Sequence, residues 1–182
     1  KSLEKAFSKK EHLITLYFGG VYFSIQQAMD MDYIYTKIIN TNCSEKEKIF
    51  YKAILLSVAS HIANTVGKQF AQPIKLLNKN GEPKPLLISR TIRDRKYNVL
   101  ELFKEWGLKF INNQSLTNFE HSFFTQDFNV FLNTYKGKID CFYADPPYTI
   151  DHYSRFYHVL ETIVNYDFPK LMEKTIEGEQ TL

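Results

Sequence analysis

The sequence predicts an α/β protein in which part of an open sheet is joined to a mainly helical region. The apolar run Ile139–Ala144 is typical of a short buried strand. Helix-like patterns flank it at Phe128–Tyr135 and Ser154–Val164. Before residue 110, apolar residues recur at helical spacing instead. We therefore expect a mainly helical region over residues 1–110 and a partial sheet-containing core over residues 111–182.

The helices of the first region are predicted from their caps. Ser24 can cap a helix that runs to about Ile39, and Ser44 with Glu47 forms a capping-box pattern. The second of these helices should reach about Val66 and end at Gly67. Elsewhere in this region we expect an extended segment at Leu13–Ser24, a loop over Ala71–Pro85, a loop carrying the basic run from Ile88 to Lys96, a helix over Tyr97–Trp106 that stops at Gly107, and a short strand at Leu108–Ile111.

Composition gives few limits on function. The 182 residues are 44% hydrophobic and 15% aromatic, which is typical of a globular core, and the net charge of +3 is too small to indicate nucleic-acid binding by itself. Cys43 and Cys141 stand far apart and form no disulfide or metal-binding pattern. A reducing cytoplasm is therefore the expected setting. No run approaches 18 apolar residues.

The most specific motif follows the predicted strand directly. The Asp145 carboxylate and the Pro146 carbonyl can each accept one N–H bond from an exocyclic amino group on a flat ring. This arrangement favours a pyramidal nitrogen whose lone pair points at an electrophile. Pro146 and Pro147 stiffen the turn and lack N–H donors, and Tyr148 supplies a ring for stacking. A rigid turn without function is the alternative interpretation.

Asp145-Pro146-Pro147-Tyr148 after a strand resembles the catalytic motif of the amino-group DNA methyltransferases, in particular the N6-adenine enzymes of the Dam-like, D12 type. Further elements are similar to that family. They are Phe124–Phe128 before the predicted strand, Phe156-Tyr157-His158 after the motif, and Tyr17–Ser24 near the entry to the recognition region.

The resemblance implies part of a Rossmann-like methyltransferase sheet with a mainly helical DNA-recognition insertion. It implies methyl transfer from S-adenosylmethionine to N6 of an adenine flipped from duplex DNA, without a metal, by the modification enzyme of a restriction–modification system in a bacterial cytoplasm. Asp127 and Phe128 would bind the cofactor, and Phe156 and Tyr157 would form the target-base pocket. A cognate restriction endonuclease is a further expected partner, not necessarily bound. Asp127 is also a suitable helix N-cap, and a lone His158 is usually a packed residue.

The resemblance places the basic run inside the recognition region. Arg90, Arg93, Arg95 and Lys96 are the candidate DNA-binding residues, since arginine can contact phosphates and read guanine. A solvated charged face is the alternative. Four residues near the end of the second predicted helix can join this surface: His61, Asn64, Lys68 and Gln72.

One departure from the family pattern leaves alternatives open. The glycine-rich cofactor loop Phe-x-Gly-x-Gly is absent, and Phe18-Gly19-Gly20 has the wrong spacing. We therefore expect a fragment that is inactive by itself. An RNA guanine-N2 methyltransferase and a non-catalytic DNA-binding remnant are the alternatives.

Overall fold

The computed structural model describes residues 11–68, 70, 72–112, 121–145 and 154–169. Helices dominate these ranges: α1 Leu13–Phe18, α2 Ile25–Asn40, α3 Glu45–Ile62, α4 Pro85–Asp94, α5 Val99–Asn112, α6 Phe128–Thr134 and α7 Ser154–Asn165. Val66–Lys68 adds a single 3-10 turn with Gly67 at a φ of 64°. None of these helices is both long and apolar enough to cross a membrane.

The predicted Rossmann-like sheet is wrong for the part of the chain that the structure describes. That part contains no strand, and its β-pairing is limited to isolated bridges such as Thr65 with Pro73. Residues 139–144, the expected buried strand, are irregular and exposed. The reason is physical, since an apolar run becomes a strand only when a second strand satisfies its N–H and C=O groups. No described segment pairs with this run.

Both helices predicted from N-cap residues, Ser24 and Ser44, are confirmed. In α2 the Ser24 hydroxyl accepts from the Gln27 N–H, and the Gln27 carboxamide accepts from the Ser24 N–H. Ser44 and Glu47 repeat the arrangement at the start of α3. The helix α3 ends at Ile62, four residues before the predicted end. The helices α6 and α7 lie where the sequence predicts them.

Three local predictions in the helical region are wrong. Leu13–Phe18 is a helix rather than an extended segment, and the basic run from residue 88 forms most of α4 rather than a loop. The helix α5 continues through Gly107 to Asn112, which removes the predicted strand at Leu108–Ile111. A Cβ at Gly107 would lie 3.5 Å from the Ile54 side chain, so this glycine lies where α5 packs closely on α3.

The core lies between α1, α2, α3, α5 and α7. Phe23, Met31, Val58, Val99 and Val159 are fully buried in it. The helix α7 is therefore part of the same core as the N-terminal helices, although it follows the Asp-Pro-Pro-Tyr motif in the chain. The predicted division near residue 110 stays a prediction.

A buried carboxylate joins the two ends of this core. Asp32, 2% exposed, accepts bonds from the Ile14 N–H at 2.9 Å and the Thr15 N–H at 2.8 Å, which caps α1 from a distant helix. It also accepts from the Tyr166 hydroxyl at 2.6 Å. Tyr166 stacks on Tyr35 with ring centroids 4.0 Å apart. The segment after α7 is thereby fixed to α1 and α2.

Candidate functional site

The catalytic motif is described only at its first residue. Asp145 is exposed at the end of the irregular segment 139–145. Pro146, Pro147 and Tyr148 lie outside the described residues. The predicted amine-holding turn therefore stays a prediction, with its carboxylate on an accessible part of the chain.

The candidate cofactor residues begin helix α6. One Asp127 oxygen, Oδ1, accepts from the N–H groups of Asn129 at 2.9 Å and Val130 at 3.4 Å. Asp127 is thus the N-cap of α6, the alternative that the sequence left open. Its Oδ2 makes neither of these bonds. Phe128 is 64% exposed, so a carboxylate oxygen and a ring face are both accessible at this helix start.

The candidate base-pocket residues lie in the first turn of α7. Phe156 is half-buried and Tyr157 is 46% exposed. His158 packs edge-on against Phe18 and Tyr22, with centroids 6.5 and 6.1 Å away. This packing favours the structural interpretation of His158 over a role as a base.

The basic run separates into two kinds of arginine. Arg90 and Arg93 lie in the last turns of α4, and each Nε bonds the Asp94 carboxylate, at 3.4 and 3.1 Å; the Arg90 side chain is 33% exposed. The Arg93 side chain is 69% exposed, whereas that of Asp94 is only 11% exposed. Lys96 is exposed. These three cations are accessible to a polyanion.

Arg95 makes contacts within the protein, and its role in DNA binding stays a prediction. Its Nε donates to the Asn64 side-chain oxygen at 3.1 Å, and its Nη2 donates to the Gly20 carbonyl at 2.9 Å. Asn64 is 1% exposed, so it is not part of a binding surface as the sequence suggested. Arg95 therefore joins the end of α4 to the turn before α2 and to the chain after α3.

Structure also reveals residues that the sequence did not single out. Gln27 is buried and donates to the Asp94 carbonyl at 2.9 Å and the Tyr97 carbonyl at 3.3 Å, which fixes the end of α4 against α2. Trp106 lies 6.0 Å from the His61 ring. A lone tryptophan in a 182-residue chain was the available signal, but only the fold places it beside His61.

Comparison with known proteins assigns the family. Residues 88–177 match the family model of the D12 class N6 adenine-specific DNA methyltransferases. This region of the chain belongs to the D12 class. The match begins at residue 88, within α4, and it includes the Asp-Pro-Pro-Tyr motif and α7.

A curated relative supports the same family. Over 36 residues the chain is 61% identical to the modification methylase LlaI of Lactococcus lactis subsp. lactis. That similarity covers 20% of this chain and 6% of the relative, so the chain spans a small part of that protein's length. No solved structure matches the chain.

The region that matches the D12 class contains most of the candidate site residues. Residues 88–177 include the candidate cofactor residues at the start of α6, Asp145, the aromatic first turn of α7, and Arg90 and Arg93 of α4. The stabilising contacts of the D12 region extend outside that span, since Asp32, Gln27 and Asn64 all lie before residue 88.

Proposed function

We propose that this chain is part of an enzyme that transfers a methyl group from S-adenosylmethionine to N6 of an adenine flipped out of duplex DNA. The observation that carries the proposal is the D12 match over residues 88–177, which contains the Asp-Pro-Pro-Tyr motif. The name of the similar Lactococcus protein, a modification methylase, favours the modification enzyme of a restriction–modification system.

Asp145 and Pro146 would prepare the amino group for attack. The adenine N6 lone pair is delocalised into the ring, so the free amine is a poor nucleophile. Two N–H bonds, one to the Asp145 carboxylate and one to the Pro146 carbonyl, hold the nitrogen in the orientation that attack requires. After methyl transfer the nitrogen is cationic and loses a proton to Asp145 or to water. Asp145 therefore acts mainly by orientation and charge.

Asp127 and Phe128 fit the adenine end of the methyl donor. An adenine amino group can donate to the Asp127 oxygen that does not cap α6, and the exposed Phe128 ring offers a stacking face. When bound, S-adenosylmethionine supplies an electrophilic methyl on a sulfonium. The N-cap bonds hold the Asp127 carboxylate in place for that contact.

The remaining candidates would handle the DNA. Tyr148, with Phe156 and Tyr157, would enclose the flipped base, whose extrusion costs a few kcal/mol. Arg90, Arg93 and Lys96 would contact phosphates, so the affinity for DNA would decrease as the salt concentration rises. Arg95 would act indirectly, because its bonds to Asn64 and Gly20 position α4.

Methylation by the complete gene product tests the proposal. Label transfer from tritiated S-adenosylmethionine into duplex DNA should fall by about 10²–10³-fold in Asp145→Ala, as for loss of a preorganised transition-state contact. Asp140→Ala is the matched control, because Asp140 is an exposed acid of the same segment that pairs with Lys138 at 2.8 Å. Normal transfer by Asp145→Ala would refute the assignment, and transfer to ribosomal RNA instead of DNA would establish the guanine-N2 alternative.

A further inference from the structure

Two adjoining hollows on the surface of α3, α4, α5 and α7 share one side chain, His61. The first is lined by Arg90, Arg93, Asp94 and Tyr97 at the end of α4. The second is lined by Ser57 and Ser60 of α3, Trp106 of α5 and Leu160 of α7. Since His61 lines both, the two hollows adjoin at its side chain, and we call them together the His61 groove.

One end of the His61 groove is positively charged. Arg90 and Arg93 each commit one Nε–H to Asp94, whose nearly buried carboxylate holds the two guanidinium groups together. Each guanidinium has five N–H donors, so donors remain for a second acceptor. Two arginines against one carboxylate leave a net positive charge. This end suits a phosphate, which arginine can bind in bidentate fashion.

The other end is aromatic. The His61 ring lies 5.3 Å from the Tyr97 ring and 6.0 Å from that of Trp106. Trp106 in turn lies 5.9 Å from Phe110, and the Lys109 ammonium lies 5.0 Å from its ring centroid. Proteins that hold unstacked bases use such rings as stacking surfaces next to cationic groups for the backbone. A site for phosphate alone would not require the rings.

We propose that the His61 groove binds one unstacked nucleotide of the nucleic acid, with its phosphate at Arg90 and Arg93 and its base against Trp106 and His61. The inference rests on the proposed function only in taking DNA as the nucleic acid. The groove is built from α3, α4, α5 and α7 and does not include Asp145 or the start of α6. Its lining therefore shares no residue with those assigned to the methylated adenine, and the proposal makes it a second base-binding site.

Intrinsic fluorescence tests the proposal directly, because Trp106 is the only tryptophan of the 182-residue chain. Titration with an oligothymidine strand should give saturable quenching. An abasic sugar–phosphate strand of equal length should bind more weakly and leave the fluorescence unchanged. Trp106→Leu should lower the affinity for a dye-labelled oligothymidine at least about fivefold, the lower range for loss of one stacked base. Arg93→Ala should reduce the salt dependence by about one phosphate contact.

Controls separate binding from folding. Lys79→Ala removes an exposed cation of the turn after Asn78, outside the groove, and should bind as the parent does. Circular dichroism monitors the fold, and Trp106→Phe keeps a packing ring and should retain part of the affinity. Absent quenching, equal quenching by the abasic strand, or equal losses in Arg93→Ala and Lys79→Ala would each overturn the proposal.

The two proposals fail in distinguishable ways. If Asp145→Ala abolishes methylation while Trp106→Leu and Arg93→Ala bind as the parent, the groove inference fails and the methyltransferase function stands. If the groove variants lose oligothymidine binding while the parent transfers no methyl group to DNA, the function fails and the groove stands.

Discussion

The helical core and the segment 121–145 both contain large apolar side chains, but these side chains are buried in the core and mostly exposed in the segment. Phe23 in the core is fully buried, whereas Phe123 in the segment is 93% exposed. Within the segment only Phe131 reaches intermediate burial, through contacts with Phe124 and Tyr135 at 5.1 and 5.0 Å. Apolar content therefore does not decide burial. A helix is buried when its stripe of apolar residues meets a partner surface, and among the described residues only the core helices provide one.

Replacing one phenylalanine in each region tests this difference in burial. Phe23→Ala should cost about 3–5 kcal/mol in the free energy of unfolding, because it leaves a cavity in a close-packed core. Phe123→Ala should change it by less than about 0.5 kcal/mol. Urea denaturation followed by circular dichroism measures both, and equal losses would show that Phe123 packs in solution.

Asp32→Asn tests whether the residues after α7 belong to the core. The amide keeps one acceptor but presents an NH2 group to the donors of Ile14, Thr15 or Tyr166. The free energy of unfolding should therefore fall by about 2–3 kcal/mol. A double-mutant cycle with Tyr166→Phe should give clear coupling. Strict additivity of the two changes would contradict the link between the chain ends.

Alkaline pH should weaken the same link. Burial raises the pKa of Tyr166 well above its ordinary value of about 10, and the hydrogen bond to Asp32 is the second-largest cause of this increase. The folded state therefore retains a proton that the unfolded chain releases, so this stabilisation is complete below about pH 10 and falls as the pH rises further. The midpoint of urea unfolding between pH 8 and 11 should fall more steeply in the parent than in Tyr166→Phe. Parallel curves would exclude Tyr166 as the source.

Arg95→Ala and Arg93→Ala should separate stability from DNA contact. Loss of Arg95 leaves the buried Asn64 oxygen without its charged donor and should cost about 1–2 kcal/mol. Loss of Arg93 should leave stability within about 0.5 kcal/mol, since its side chain is 69% exposed. Thermal melts measure both values, and the reverse order would exchange the roles assigned to these arginines.

The smallest expected difference concerns two helix caps. Ser24→Ala should destabilise the core by about 1 kcal/mol through loss of the capping box. Asp127→Ala removes the equivalent cap of α6, but α6 lies outside the core, so the global melting midpoint should not move. Paired calorimetric scans compare them. A shift with Asp127→Ala would mean that α6 unfolds together with the core.

The accuracy of the sequence predictions follows the range of the interactions involved. The helices α2 and α3 were predictable because their caps are three residues from the groups they bind. The helix α1 could not be predicted from neighbouring residues, because its capping side chain, Asp32, lies 18 residues from Ile14 and 17 from Thr15. The basic run of α4 is helical rather than a loop because Pro85 begins the helix, and proline is favoured in the first turn of a helix.

The candidate site divides in the same way. The role of Asp145 follows from its chemistry and motif, whereas those of Asp127, Phe156 and Tyr157 follow from the family resemblance, and all of these roles stay predictions. The exposure of Arg93 and the internal role of Arg95 could not be predicted, because two arginines two positions apart look alike in a sequence. The pairing of His61 with Trp106 joins positions from separate helices and requires the fold.

The hydrogen bond between Asp32 and Tyr166 joins residues 134 positions apart. A chimera designed to change target specificity by exchanging the N-terminal helices with those of a relative would transfer Asp32 but leave Tyr166 in the host. Asp32 would then lack the Tyr166 hydroxyl, and Tyr166 would lack the Asp32 carboxylate. The N-terminal helices of this chain should therefore be exchanged together with the segment that carries Tyr166, so that Asp32 and Tyr166 are inherited as a unit.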